Sequence, residues 1–258
     1  MKVGEIVKLL ENECPKSLCE DWDNSGLLVG DSDSEVKKVY IALDATTNVI
    51  EDAIKHGADM LITHHPLIFK SVKEITESHF VGRRVMALIK NNIAFFCMHT
   101  NFDAVYMSEI VRKKLALPEG IILLPSKEDP NKGIGMTCHL PDEMSLEGFS
   151  LKLKDALSLK SVRVFGDLSM KVRIVSFLPG SGKSDIDTAI TQGADVFVTG
   201  DVDHHSGLDA VEKGIGVIDA GHYGLEHFFI DHVALFLKGN TGSLEIVTAQ
   251  KKEPYHEL

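Results

Sequence analysis

Cysteine is scarce in this 258-residue chain, and its four copies (Cys14, Cys19, Cys97, Cys138) form no CxxC pair and no dense framework. That argues against a disulfide scaffold and points to reduced, buried thiols in a cytoplasmic protein. Long apolar runs are absent as well: none approaches the ~20 residues that a membrane span requires. The N-terminal segment MKVGEIVKLLENECP is amphipathic and carries acids, unlike a signal or transit peptide. Basic residues are in the minority, 27 against 38 acidic ones, for a formal net charge of −11. A chain of that sign lacks the field for broad nucleic-acid or membrane-surface binding. A local basic pocket for a phosphorylated small molecule stays open. No low-complexity stretch or long flexible linker interrupts the chain. With 44% apolar and 25% charged residues it has the composition of an ordinary globular protein with ample core.

What the chain does contain is a duplicated segment. AIKHGADMLITHHP begins at Ala53 and AITQGADVFVTGD at Ala189. Over Ala53–Thr63 and Ala189–Thr199, six of eleven positions are identical: the Ala-Ile pair, the Gly-Ala-Asp triplet and the final Thr. A second match follows in each copy. His99-Thr-Asn-Phe-Asp103 and His222-Tyr-Gly-Leu-Glu226 each place a carboxylate four residues after a histidine. A fold built twice can gather ligands from both halves into one cleft.

Short β-rich runs alternate with helical stretches, which predicts an α/β protein with helical crossovers. In the first copy strands are expected at Lys37–Leu43, Met60–Thr63 and Ile93–Met98. Helices are expected from a Thr46 or Thr47 cap to His56, with Gly57 as stop, and over Val81–Asn92. The second copy repeats the order with strands at Val172–Leu178, Val196–Thr199 and Ile215–Asp219. Its helices are expected at Ser184–Gln192, Leu208–Lys213 and, as one long element, His222–Leu237. Residues 1–126 and 168–258 thus read as two related α/β halves. Residues 127–167, with Gly133–Leu140 and Leu146–Leu157, read as a connecting layer.

In an open α/β sheet, ligands bind just beyond the carboxyl ends of strands. His64, His65, His99, Asp201 and His222 all fall there, with Asp103 and Glu226 a turn further on. Adjacent histidines leaving a strand point in different directions, so His64 and His65 suit two neighbouring ions better than one. Alone, the pair also reads as surface histidines. His222 and Glu226 share one helical face, and His99 with Asp103 repeats that spacing; a turn or capping role for Asn101 and Asp103 is the plain alternative. Together the clusters predict a two-metal site. Mixed N/O ligands suit zinc, iron or manganese rather than calcium. Two ions ~3.5–4 Å apart would generate hydroxide near neutral pH.

Other polar motifs carry less. Pro179-Gly-Ser-Gly-Lys-Ser184 resembles the end of a Walker A loop, but Phe177 stands where its first glycine belongs. It is either a weak anion-binding turn or a plain strand–helix turn. His204 and His205 are outer groups of the site or part of an exposed loop. Trp22-Asp-Asn-Ser-Gly26 lines the entrance or forms a structural turn. His56, His79, His139, His227, His232 and His256 have no partner pattern.

In chain order, the motifs Trp22-Asp-Asn-Ser-Gly, Thr63-His-His-Pro, His99-Thr-Asn-Phe-Asp-Ala, Thr199-Gly-Asp and Asp219-Ala-Gly-His-Tyr-x-x-Glu run through nearly the whole sequence. They resemble the Nif-three-like family, also labelled GTP cyclohydrolase I type 2-like proteins, in its compact form. The resemblance implies a di-metal site on His64, His65, Asp103, His222 and Glu226, in the cleft between the halves. It implies a ring-shaped homohexamer, a trimer of dimers, and gives His99 an outer or acid/base catalytic role. Phe102, Ser206 and Lys183 depart from the family pattern without touching those ligands. The label implies GTP ring opening, in which hydroxide attacks C8 of guanine and an acid/base group helps release formate. The expected function is therefore a metal-dependent hydrolase acting on a nucleotide or related phosphorylated compound. A ring-shaped regulatory or interaction protein with chiefly structural metals is the alternative.

Overall fold

The structure, a computed structural model, describes residues 1–256. Its strands are β1 (Gly26–Val29), β2 (Lys38–Ala42), β3 (Met60–Thr63), β4 (Ala94–Cys97), β5 (Gly120–Pro125), β6 (Gly133–Ser145), β7 (Arg163–Phe165), β8 (Lys171–Phe177), β9 (Val196–Thr199), β10 (Gly216–Asp219) and β11 (Glu245–Thr248). Among the described residues they form sheets ordered β1-β4-β3-β2-β11 and β5-β6-β8-β9-β10-β7. The first belongs to a unit of Met1–Phe102 and Phe228–Lys251, the second to a unit of Asp103–His227 with the tail from Lys252.

The duplication is visible in both sheets. In the first unit β2, β3 and β4 are parallel neighbours, joined by helices Thr47–Lys55 and Phe80–Lys90. In the second, β8, β9 and β10 are parallel neighbours, joined by helices Ile186–Thr191 and His204–Glu212. The chain is thus two related α/β halves. Each copy has its own additions. β1 runs antiparallel to β4 and β11 parallel to β2; β6 and β7 run antiparallel to β8 and β10.

The repeated residues explain why the two copies fold alike. All four positions of β3 and of β9 are buried, as expected of a parallel strand covered on both faces. Ala53 and Ala189 are fully buried under them. Gly57 (φ 64°) and Gly193 (φ 78°) end the preceding helices in the left-handed region that favours glycine. The repeated aspartates then fasten the neighbouring strand. Asp59 Oδ2 accepts the amides of Lys37 and Lys38 at 2.7 and 2.9 Å. Asp195 Oδ2 accepts those of Arg173 and Ile174, both at 2.8 Å.

Several elements differ from the sequence expectation. The helix expected over His222–Leu237 is broken into His222–Glu226 and Phe228–Asn240. The break falls where the chain changes packing partners: Phe228, Phe229, Ile230, Val233 and Leu237 are buried in the first unit's core. The stretch after β4 runs through a π turn, Asp103–Met107, before helix Ser108–Lys114. β6 extends to Ser145, whose hydroxyl caps helix Leu146–Ala156 by accepting the Gly148 amide at 3.0 Å. Ser184 opens in a 3-10 turn, Lys183–Asp185, and His204 and His205 lie in a helix rather than a loop. Among the described residues no helix is long and apolar enough to cross a membrane.

The paired strand clamps make a testable symmetry. Asp59→Ala and Asp195→Ala each remove a carboxylate holding two amides and should each lower stability by about 1.5–3 kcal/mol. Urea unfolding followed by far-UV circular dichroism reads both, and a cost confined to one of them would contradict the equivalence.

Candidate metal centre

Ligand-type side chains begin where the central strands stop. β3 ends immediately before His64, β4 two residues before His99, and β10 three residues before His222.

In the first unit, His64 is fully buried, its ring packed near Phe102 and Phe229 at centroid distances of 6.0 and 5.2 Å. Its Nδ1 donates to the Met98 carbonyl at 2.8 Å. His65 Nδ1 donates to Asp44 Oδ1 at 2.8 Å, and His99 Nδ1 donates to Asp23 Oδ1 at 2.9 Å. A neutral imidazole with its proton fixed on Nδ1 presents its lone pair on Nε2. Acceptors of this kind orient metal-binding histidines and raise their basicity. His64, His65 and His99 each offer a ligand atom within 4.8 Å of the other two. That donor set fits a divalent transition metal.

Asp23 is the most strongly held carboxylate here. Its side chain is inaccessible, and it accepts from Ser25 Oγ (2.9 Å), the Thr100 amide (3.1 Å) and Thr100 Oγ1 (2.7 Å) as well as from His99. Burial opposes its charge, yet the hydrogen bond from His99, with the Thr100 and Ser25 donors, holds it well below the usual carboxylate range. Asp23 therefore stays ionised and keeps the His99 ring in one orientation.

In the second unit, His222 Nδ1 donates to Asp201 Oδ2 at 2.8 Å, and its Nε2 lies 2.9 Å from Glu226 Oε2. Glu226 is buried. Asp201 takes a left-handed backbone (φ 57°), an uncommon state for a non-glycine residue. Two glycines make room for this pair. A Cβ on Gly180 (φ 82°) would stand 2.5 Å from Glu226 Oε1, and one on Gly200 would stand 2.4 Å from the His222 amide nitrogen. Asp103 is also buried and opens the π turn.

The structure therefore brings His64, His65 and His99 together, and His222 together with Glu226 and Asp201. His99 is a full member of the first cluster, with ring centroids 5.2 and 5.5 Å from His64 and His65. Sequence reading missed Asp44, which carries no motif of its own, and passed over Asp23 inside the Trp22–Gly26 motif. His204 and His205 are exposed in the first turn of a helix capped by Asp203. The Gly-Ser-Gly turn is not a phosphate loop. Phe177 is fully buried, the Gly182 amide is committed to Thr199 Oγ1 at 2.7 Å, and Lys183 is paired with Asp203 at 2.9 Å.

The description of the family Duf34/NIF3 (NGG1p interacting factor 3) matches residues 1–254. A Clostridium perfringens protein named GTP cyclohydrolase 1 type 2 homolog is 34% identical over 259 residues, covering 99% of each chain. The crystal structure of a Staphylococcus aureus hypothetical protein superposes with a TM-score of 0.90 at 29% identity, over 100% of this chain and 99% of that one. A Bacillus cereus protein related to NIF3 gives 0.89 at 25% identity, again over 100% and 99%. With its duplicated sheets and strand-end histidines, the chain belongs to the Duf34/NIF3 family.

Proposed function

We propose that the chain is a metal-dependent hydrolase with a di-metal centre, acting on a nucleotide or related phosphorylated compound. His64, His65, Asp103, His222 and Glu226 are its ligands for two divalent ions, zinc, iron or manganese. The observation that carries this reading is the shared state of the imidazoles. His64, His65 and His222 each have Nδ1 tied to a carbonyl or carboxylate, the arrangement that directs Nε2 to a metal. The buried carboxylates Asp103 and Glu226 supply the negative charge that two dications need. The name GTP cyclohydrolase 1 type 2 homolog, borne by relatives, supports GTP ring opening as the specific reaction.

When bound, the ions supply Lewis acidity and acidify water. The chain's own residues do the rest. His99, its Nδ1 proton held by Asp23, presents a free Nε2 that takes up a proton and passes it to the leaving group. Trp22 and Phe69, whose rings lie 5.7 and 6.4 Å from that of His99, shield it from bulk water. We place the chain in a homohexamer, as the family resemblance implies, and in the cytoplasm, as its few scattered cysteines imply. The family's name, an interacting factor, supports the second reading: a regulatory ring with structural metals.

Elemental analysis of purified protein should find about two divalent ions per chain, and the same sample should release formate from GTP. Metal without formate removes the GTP reaction and leaves other hydrolytic substrates; absence of metal after incubation with zinc, iron and manganese removes the centre. Glu226→Ala should lower metal affinity and turnover by about 10–100-fold while light scattering still shows the wild-type assembly. Loss of assembly in step with metal favours the regulatory reading. Gly180→Ala should weaken metal binding by about tenfold or more in calorimetric titration, because its new methyl meets the Glu226 carboxylate.

A further inference from the structure

Between β3 and helix Phe80–Lys90 the chain runs through residues 66–79 without regular structure. A loop of that length inside an ordered fold is uncommon and usually functional. With residues 44–46 and the start of the helix it encloses a cavity of about 820 Å³, and His65 forms part of the wall. That volume is in the range of small-molecule and cofactor pockets.

The lining is of two kinds. Phe69 and Phe80 are each 51% exposed, so the concave wall offers open aromatic surface. Phe69 also packs on Trp22, itself 56% exposed, with centroids 5.8 Å apart. The other part is cationic. Arg84 is half-buried; its Nε donates to Thr47 Oγ1 at 3.1 Å, and its guanidinium carbon lies 5.0 Å from the Phe80 centroid. Among the described residues no carboxylate pairs with Arg84, Lys70 or Lys73. Of the two acids in the lining, Asp44 is committed to His65. Burial and the neighbouring Arg83 lower the Arg84 pKa, and Asp44 only partly offsets them. A half-buried guanidinium whose nearest carboxylate is already bound to a histidine favours an incoming anion. In a chain of formal net charge −11, three cations around one cavity are a local reversal of sign.

We propose that this cavity binds a nucleoside phosphate, with the phosphate on Arg84 and the flanking lysines and the base on the open face of Phe69, next to Trp22. Open aromatic faces suit any purine or pyrimidine ring, and the planar guanidinium suits phosphate oxygens. His65 shares the cavity wall with Phe69, and the His99 ring lies 6.4 Å from that of Phe69, so a ligand held this way lies beside both histidines. The proposal rests on the reading of the chain as an enzyme of phosphorylated nucleotides and says which residues recognise one.

Trp22 is the chain's one tryptophan, so intrinsic fluorescence reports this region directly. Full-length protein, with and without added manganese, would be titrated with GMP, guanosine and inorganic phosphate. GMP should produce a saturable change in Trp22 emission, with guanosine binding about tenfold more weakly or worse. Arg84→Met should weaken GMP by about 10–100-fold and leave guanosine within about twofold. Lys70→Met/Lys73→Met, altering only exposed side chains, should weaken GMP in the same sense and serves if Arg84→Met melts early. Phe69→Ala should weaken both GMP and guanosine. No response to GMP in either metal state, or a GMP affinity unchanged in the folded variants, overturns the pocket. Arg84-dependent GMP binding with no turnover of any nucleotide upholds the pocket and sinks the hydrolase; nucleotide turnover with unaltered KM in Arg84→Met does the reverse.

Discussion

The structure depends on a proton placed on one nitrogen of each functional histidine. An imidazole is a metal ligand only through a nitrogen that carries a lone pair, and its two tautomers are nearly equal in energy until a neighbour chooses. Here the choice is made by acceptors that the sheets hold in place: the Met98 carbonyl for His64, Asp44 for His65, Asp23 for His99, Asp201 for His222. Each acceptor lies on the segment that leaves a strand or on a tight turn beside it. Strand ends are where backbone geometry is most firmly set next to open space, so the same scaffold that fixes the acceptor also presents the ring.

The duplicated residues and the functional residues turn out to be largely different sets. Ala53 and Ala189, Gly57 and Gly193, and Asp59 and Asp195 build the crossover and fasten the adjacent strand. They would be needed in any protein that used this unit. Just past the last repeated residue, Thr63 and Thr199, the copies diverge. At the position of His64 the second copy has Gly200, where a side chain would collide with the His222 backbone. At the position of His65 it has Asp201, whose carboxylate accepts from His222 Nδ1. At these two positions one copy therefore carries a histidine pair, and the other carries an acid that orients the histidine of its own unit.

Much of this was legible because the informative residues are local. Buried strands such as Met60–Thr63 and Val196–Thr199 declare themselves as short apolar runs, and His64, His65, His99 and His222 follow them within three residues. The parts that were not legible depend on contacts far apart in sequence. Asp44 meets His65 across 21 residues and Asp23 meets His99 across 76, and no spacing rule links them. The Gly-Ser-Gly turn, open in sequence between a weak anion-binding turn and a plain strand–helix turn, is also decided at a distance: Gly180 answers to Glu226, 46 positions on in number (180 to 226). Likewise the helical period over His222–Leu237 is continuous, and only the change of packing partner at Phe228 interrupts it.

Burial gives the last link between fold and chemistry. His64, Asp103 and Glu226 are almost wholly shielded from water, and taking a carboxylate to such depth is costly even when it is paired. A structural role alone would be met more cheaply by apolar side chains of similar volume. Retaining acids and an oriented imidazole at those depths makes sense if a cation repays the desolvation, since a dication strengthens its hold on each ligand as the local dielectric falls. The better-exposed His222 and His65 then stand on the solvent-facing side of their clusters, where a substrate can arrive. Under the proposed reading as a hydrolase, that gradient from buried acid to accessible imidazole is what lets a substrate reach ions held at depth.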